Sequence, residues 1–309
     1  MLSWVLSCVN LPRHPAPQEF MKCVINRRAK FSASHRYWLP ELSEAENAAQ
    51  FGPCMRFPGH GHNYILYVSM IGDVDANGMV LNLSDVKHVI RHEVTEPLDF
   101  SYLNEAWEDF QQTLPTTENL ARVIWNRLSP HLPLVDIKLI ENENLWAEYQ
   151  GNAMEAYLTV NTHFSAAHRL AHVDLSFEEN SEIFGKCARI NGHGHNYHVD
   201  VTVKGEIHPR TGMIVDLVAL QETIDRLIIQ PMDHSFLNKD VPYFERVVPT
   251  AENIAAYMVK TLQGPIADLG AQLYKVKLYE SPNNACEVYA SFLQDDVIAA
   301  LKVPELATV

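Results

Sequence analysis

Twice in this chain a cysteine is followed, after five residues, by His-Gly-His: FGPCMRFPGHGHNY at 51–64 and FGKCARINGHGHNY at 184–197. In the second copy His193 and His195 head the stretch YHVDVTVKG, where Tyr197, Val199, Val201 and Val203 alternate with polar residues. A strand sends residues two apart to the same face, so both imidazoles share a face with apolar side chains. Polar rings so placed need a partner, and a metal ion satisfies both. A third histidine, His168 in FSAAHR, comes just after the preceding strand, which neighbours the metal strand in a meander. Three neutral imidazoles without a fourth protein ligand leave one position open, the pattern of a catalytic zinc site. The first copy holds the same trio in His35, His60 and His62. A lone His-x-His is more often an ordinary surface or core pair. The third histidine and the second trio favour metal.

Cys187 stands on the loop leading into the metal strand, as Cys54 does in the first copy. Three roles are open to it: a fourth metal ligand that closes the site, a proton-abstracting base or nucleophile with its pKa lowered by a nearby cation, or a small buried side chain. PMDHSFLN at 231–238 contains Asp233 beside His234, an arrangement in which a carboxylate holds an imidazole for proton transfer. By itself such a dipeptide is commonly a solvated loop. The matching stretch, PLDFSYLN at 97–104, keeps Asp99 but has Phe100 in place of the imidazole. Glu280 shares strand parity with Val276 and Leu278, and Glu141 with Ile137 and Leu139. A carboxylate on that face is either solvated at the strand end or paired, and two adjacent ligand N–H groups would pair it bidentately.

The elements that must hold these groups occur in duplicate. His35, Cys54, His60 and His62 match His168, Cys187, His193 and His195 at one constant offset, and the offset changes only at turns. GDVDANGM faces GEIHPRTGM at one such place; LSPHLPLVD faces LQGPIADLG at another, read as loops between a helix and a strand. Each repeat reads strand, strand, helix, helix, strand. One helix follows an N-cap at Asp216, a second starts near Thr250, and LYKVKLYE forms the last strand. This order predicts an α+β layer with helices on one face of an antiparallel sheet.

Bulk composition narrows the class. The 309 residues suit two modules; 47% are apolar and 20% charged, the balance of a folded soluble chain. A net charge of −14 argues against nucleic acid or an anionic membrane as partner. Five scattered cysteines (Cys8, Cys23, Cys54, Cys187, Cys286) form no disulfide framework, which points to a reducing cytoplasm. No secretory signal or membrane span is expected. The expected division is an extension over 1–21, modules over 22–150 and 155–291, and a tail over 292–309.

These motifs, taken in order, resemble the 6-pyruvoyl tetrahydropterin synthase family of the tunnelling-fold superfamily. In the second repeat the likeness runs through FSAAHRL, FGKCARINGHGHNY, GEIHPRTGM, PMDHSFLN, DVPYFERVVPTAEN and LYKVKLYESPNN. In the first it runs through FSASHR, FGPCMRFPGHGHNY, PLDFSYLN, LPTTEN and KLIENEN. The resemblance implies a ββααββ module, rings of three modules closing a barrel, and two stacked rings. It implies conversion of 7,8-dihydroneopterin triphosphate to 6-pyruvoyl tetrahydropterin with loss of triphosphate. His168, His193 and His195, and likewise His35, His60 and His62, would hold zinc, which would bind the substrate's side-chain hydroxyls. Cys187 would abstract the proton, Asp233 and His234 would relay it, and Glu280, helped by Thr250 and Glu252, would anchor the pterin ring. In the first repeat Cys54, Asp99, Glu118 and Glu141 occupy the matching places.

The related 6-carboxy-tetrahydropterin synthases typically place the cysteine three residues before the histidine pair, so the five found here favour the pyruvoyl reaction. The family's triad joins Cys of one module to Asp-His of a neighbour. Were the two kinds of module to mix in a ring, Cys54 would meet Asp233 and His234 while some Cys187 faced Phe100. Because a ring of three cannot alternate two kinds, the expectation is separate rings of first and of second modules, three chains giving six modules, with the chemistry mainly in the second. The first module would bind zinc and pterin and turn over poorly.

Overall fold

The computed structural model describes residues 21–293. Apart from Met21 and residues 292–293, the expected extension and tail, Cys8 among them, lie outside the described residues. In the first module β1 (Lys22–His35) pairs antiparallel with β2 (His60–Asp73), from Lys22 opposite Asp73 to His35 opposite His60. Helix α1 (Glu44–Phe51) lies between them. Helix α2 (Leu83–Ile90), the two-residue β3 (Ser101–Tyr102), helix α3 (Thr117–Leu128) and the hairpin β4 (Leu134–Asn142)–β5 (Leu145–Tyr149) follow. The second module repeats this with β6 (Glu155–His168), α4 (Phe177–Phe184), β7 (His193–Glu206), α5 (Leu217–Ile224) and β8 (Ser235–Phe236). It ends with α6 (Ala251–Asp268), β9 (Gln272–Ser281) and β10 (Asn284–Tyr289). The unit is ββααββ with extra short helices, and the chain is two such modules in tandem.

Packing follows the sequence periodicities. Tyr64, Leu66, Val68 and Met70 of β2 are fully buried against Val86, Ile90, Leu120 and Ile124 of the helices. Each such side chain contributes roughly 1.5–3 kcal/mol by leaving water. Two local readings need correction. Helices α1 and α4 were not expected, although Ser43 with Glu46 and Ser176 with Glu179 make capping boxes at their starts. The fourth strand of the expected ββααββ unit is present in both modules; β5 turns Leu145, Ala147 and Tyr149 inward over only five residues. LQGPIADLG is not a loop up to its end: α6 continues through Pro265 to Asp268, with Leu262 and Ile266 held in the core.

The two modules share a single sheet. Its strand order is β10-β9-β7-β6-β5-β4-β2-β1-β3, with β8 on β6. Across the seam β5 pairs antiparallel with β6, Leu145 opposite Val160 and Glu148 opposite Tyr157. The cause is the short connection over 150–154, since strands joined by a tight loop fold back as antiparallel neighbours. Gly151 takes φ 75°, and a Cβ there would lie 2.2 Å from the Trp125 ring, so glycine is required. This overturns the expectation of separate rings for the two kinds of module, because first and second modules are neighbours in one sheet. Among the described residues no helix is long and apolar enough to cross a membrane.

Candidate functional site

Antiparallel register builds each histidine cluster. His35 ends β1 opposite His60, and His62, two residues on, points the same way; His168, His193 and His195 repeat this on β6 and β7. His168 is thus the last residue of its strand rather than just after it. In each trio the ligand nitrogens lie within 4.8 Å of one another. The Nε2 atoms of His35 and His60 are 3.1 Å apart, as are those of His168 and His193. His35 Nδ1 faces the Pro115 carbonyl at 3.3 Å, and His168 Nδ1 faces the Pro249 carbonyl at 2.8 Å. With Nδ1–H donating there, each Nε2 presents a lone pair to the cluster. His62 Nε2 and His195 Nε2 are buried without a hydrogen-bond partner.

Burial, then the neighbouring rings, hold His35 down at about 3; burial, then His60, holds His62 at about 4. Burial is also the main cause lowering His168 and His195. Converging neutral imidazoles with orphaned nitrogens fit a divalent metal ion.

A carboxylate stands beside each cluster. Glu141 Oε1 lies 3.4 Å from His62 Nε2, and Glu280 Oε1 lies 3.8 Å from both His168 Nε2 and His195 Nε2. Burial raises Glu141 to about 7, with the Thr117 hydroxyl, which donates to it, acting the other way. Thr117 has no equivalent in the second module, where Ala251 takes its place. Thr116 and Thr250 cap α3 and α6.

The cysteines sit on 3₁₀ turns at Gly52–Met55 and Gly185–Ala188, directly after α1 and α4, rather than on an open loop. Each turn is tied beside its first histidine: Tyr37 N–H donates to the Cys54 carbonyl and Leu170 N–H to the Cys187 carbonyl, both at 3.0 Å. Burial, then Glu141, pushes the Cys54 thiol up to about 11, so protein groups alone do not supply the lowering expected of a thiol beside a cation.

Asp233 and His234 are in contact. His234 Nδ1 lies 2.8 Å from Asp233 Oδ2, while Asp233 Oδ1 accepts from Ser165 N–H at 2.9 Å. Those two contacts, the backbone one larger, lower the Asp233 carboxyl. His234 has φ 55° and Phe100 φ 57°, so one uncommon left-handed corner serves both modules. A π-helical turn precedes each corner, at Asp225–Ile229 and Arg91–Thr95. His234 is 84% exposed, and among the described residues no hydrogen bond or ion pair joins the pair to Cys54 or Cys187. The pair follows β6 to Ser165, five residues beyond the last seam pair at Val160, or about 17 Å at the rise of a strand.

The sequence reading missed one structural contribution to the first site. The turn after β7 crosses the seam and covers it. Thr116 Oγ1 donates to the Gly212 carbonyl, Ile214 N–H donates to Glu118 Oε1 at 3.1 Å, and Arg210 binds Glu41 at 2.6 Å. Met213 packs with Tyr37, Phe51 and Leu114, and Cys54 lies against that cluster. Its only trace in the sequence is the one-residue length difference between GEIHPRTGM and GDVDANGM. Glu118 is consequently buried and raised to about 7, whereas Glu252 is exposed.

Fold and sites together define a tandem of two α+β modules on one sheet, each with a three-imidazole cluster against a carboxylate. The chain belongs to the 6-pyruvoyl tetrahydropterin synthase family, whose sequence model matches residues 24–152 and again 157–291. It is 51% identical over 134 residues to a 6-pyruvoyl tetrahydrobiopterin synthase of Pongo abelii, covering 43% of this chain and 91% of that protein. A putative 6-carboxy-5,6,7,8-tetrahydropterin synthase of Archaeoglobus fulgidus is 37% identical over 90 residues, 29% of this chain and 73% of that one. The solved Caenorhabditis elegans 6-pyruvoyl tetrahydropterin synthase matches at 39% identity and a TM-score of 0.42, over 44% of this chain and 96% of its own.

Proposed function

We propose that the chain is a zinc-dependent carbon–oxygen lyase that converts 7,8-dihydroneopterin triphosphate to 6-pyruvoyl tetrahydropterin with elimination of triphosphate, mainly in its second module. The reading is carried by the neutral imidazole cluster set against a carboxylate, on a chain similar to proteins named for that synthase. His168, His193 and His195 would hold the zinc ion, with the Pro249 carbonyl orienting His168. A zinc ion held there would supply Lewis-acid chemistry, polarising the substrate's hydroxyls and acidifying the adjacent C–H. Cys187 takes the proton as thiolate. Asp233 fixes the tautomer of His234, whose Nε2 passes protons on. Glu280 receives the pterin ring's paired N–H groups, with Thr250 and Glu252 beside it.

In the first module His35, His60 and His62 would hold a second zinc ion and Glu141 would receive a pterin, whereas Glu118, expected to help it, is buried and accepts from Ile214 N–H. Asp99 is followed by Phe100 rather than by an imidazole, so the first module carries no Asp-His pair of its own. The test is to incubate zinc-loaded protein with dihydroneopterin triphosphate and identify the products by mass. The pyruvoyl product is expected. A carboxy product with acetaldehyde selects the sibling reaction, and no turnover selects a binding role. Cys187→Ala is expected to remove most activity; if it does not, the second-module assignment is wrong.

A further inference from the structure

We propose that Arg169 is a positioning residue of the second-module site: its guanidinium sets where the turn bearing Cys187 stands relative to the histidine cluster. Arg36 does the same for Cys54. For turnover the proposal rests on the role of Cys187 proposed above; for the placement of the thiol it does not.

The cysteine needs such a device because the sheet does not hold it. Register sets His168 opposite His193, but between them the chain leaves the sheet, and residues 169–192 include no strand. Cys187 rides on that excursion, on the 3₁₀ turn that follows α4. Within the excursion Asn180, buried in α4, accepts from His172 N–H at 2.6 Å and donates to the carbonyls of His172, Leu175 and Ser176. Loop and helix are thereby one piece. Two bonds then bring its cysteine end back to the end of β6. Leu170 N–H donates to the Cys187 carbonyl at 3.0 Å, and Arg169 Nε donates to the Ala188 carbonyl at 2.8 Å. The second of these is the side-chain tie, and a charged donor makes it the stronger.

Arg169 is itself gripped by the segment that follows His234. Asn238, four residues on, accepts from Arg169 N–H at 2.8 Å and donates to the Arg169 carbonyl at 2.9 Å. Beside it β8 runs along β6, with Ala166 opposite Ser235 and Ala167 opposite Phe236. One residue therefore adjoins His168, holds the thiol turn through its side chain, and is fixed through its backbone by the segment bearing His234.

The first module shows which part of this is shared. Arg36 Nε donates to the Met55 carbonyl at 2.7 Å, and Asn104 grips the Arg36 backbone at 2.9 and 2.8 Å. Arg36 also lies 4.3 Å over the Trp38 ring, but Ala171 takes that place in the second module. Stacking is dispensable; the Nε bond occurs in both. It touches no reacting atom, and acts by fixing where one stands. A displacement of about 1 Å at such a group costs about 10²-fold in rate.

The test is iodoacetamide labelling of the zinc-loaded full chain, resolved by cysteine through peptide mass, with steady-state kinetics beside it. Arg169→Met removes the donor and keeps most of the stem. With the turn freed, labelling of Cys187 is expected to rise several-fold while Cys54 and Cys286 stay at the parent rate. kcat is expected to fall about 10²-fold, with KM changing far less. Arg169→Lys keeps a cationic donor of similar reach and is expected to restore most of both. Arg36→Met should raise labelling of Cys54 and not of Cys187. Cys187 labelling at the parent rate in Arg169→Met overturns the proposal, whatever turnover does. A rise at all the cysteines together also overturns it, since that is general loosening. A lysine variant as altered as the methionine one rules out the hydrogen bond as the cause. A parent protein without turnover counts against the proposed reaction and leaves the labelling to decide this proposal by itself.

Discussion

The two histidine clusters are near-copies in geometry, with the same 3.1 Å Nε2 separation, yet their surroundings differ. The first is covered by the second module's turn, and its Glu118 and Glu141 are occupied by Ile214 N–H and Thr117. The second faces outward with Glu252 exposed, and Ala251 leaves Glu280 without a hydroxyl donor at that position. The module with the covered site has Phe100 where the module with the uncovered site has His234. Duplication preserved the geometry of the histidine clusters because register on two long strands fixes it. The divergence lies in groups that strands do not fix: one corner residue, one helix-start residue and one turn.

The corner residue gives the sharpest way to break the comparison. His234→Asn is expected to lower turnover of dihydroneopterin triphosphate by about 10²–10⁴-fold, the usual worth of a general acid–base group, with KM changing far less. Phe100→His should fold without rearrangement, because His234 already occupies the same φ, and is expected to add turnover. If the first variant keeps full kcat, the two modules do not differ in chemistry where their sequences say they do.

Metal content gives the next largest effect. Two zinc ions per chain are expected by elemental analysis, with His195→Ala and His62→Ala each leaving one. A drop to zero in either variant would show that the sites are coupled rather than independent copies. Chelator should strip the second-module ion first as long as that site lacks its cover, since the first is shielded by the 208–216 turn.

Much of this was legible in the sequence because strands and N-caps are local. His-x-His at the head of an alternating stretch gives one face, and the constant offset between repeats gives a second copy. Asp216 and Thr250 cap the helices as read. What was not legible depends on distant chain. The pairing of β5 with β6 follows from the loop over 150–154, yet its consequence, a shared sheet, was missed because the family's ring rule was applied to the modules separately. The covering turn was invisible for the same reason: no property of HPRTGM signals that its backbone will meet Glu118. Capping boxes at Ser43 and Ser176 were readable and overlooked.

The smallest effect tests that cover directly. Burial raises Glu118 to about 7 in the folded chain, from an ordinary 4.5. Below about pH 4.5 folded and unfolded chains both hold the proton. Between there and about 7 the unfolded chain releases it while the folded chain keeps it, so the group's contribution to stability falls as pH rises and levels off above 7. The loss is on the order of 3 kcal/mol at most. Glu118→Gln keeps an oxygen for Ile214 N–H and cannot ionise. Thermal melts should therefore show the variant gaining on the parent between about pH 5 and pH 8, with no gain at the acid end. A difference independent of pH would mean that Glu118 is not sealed by the turn.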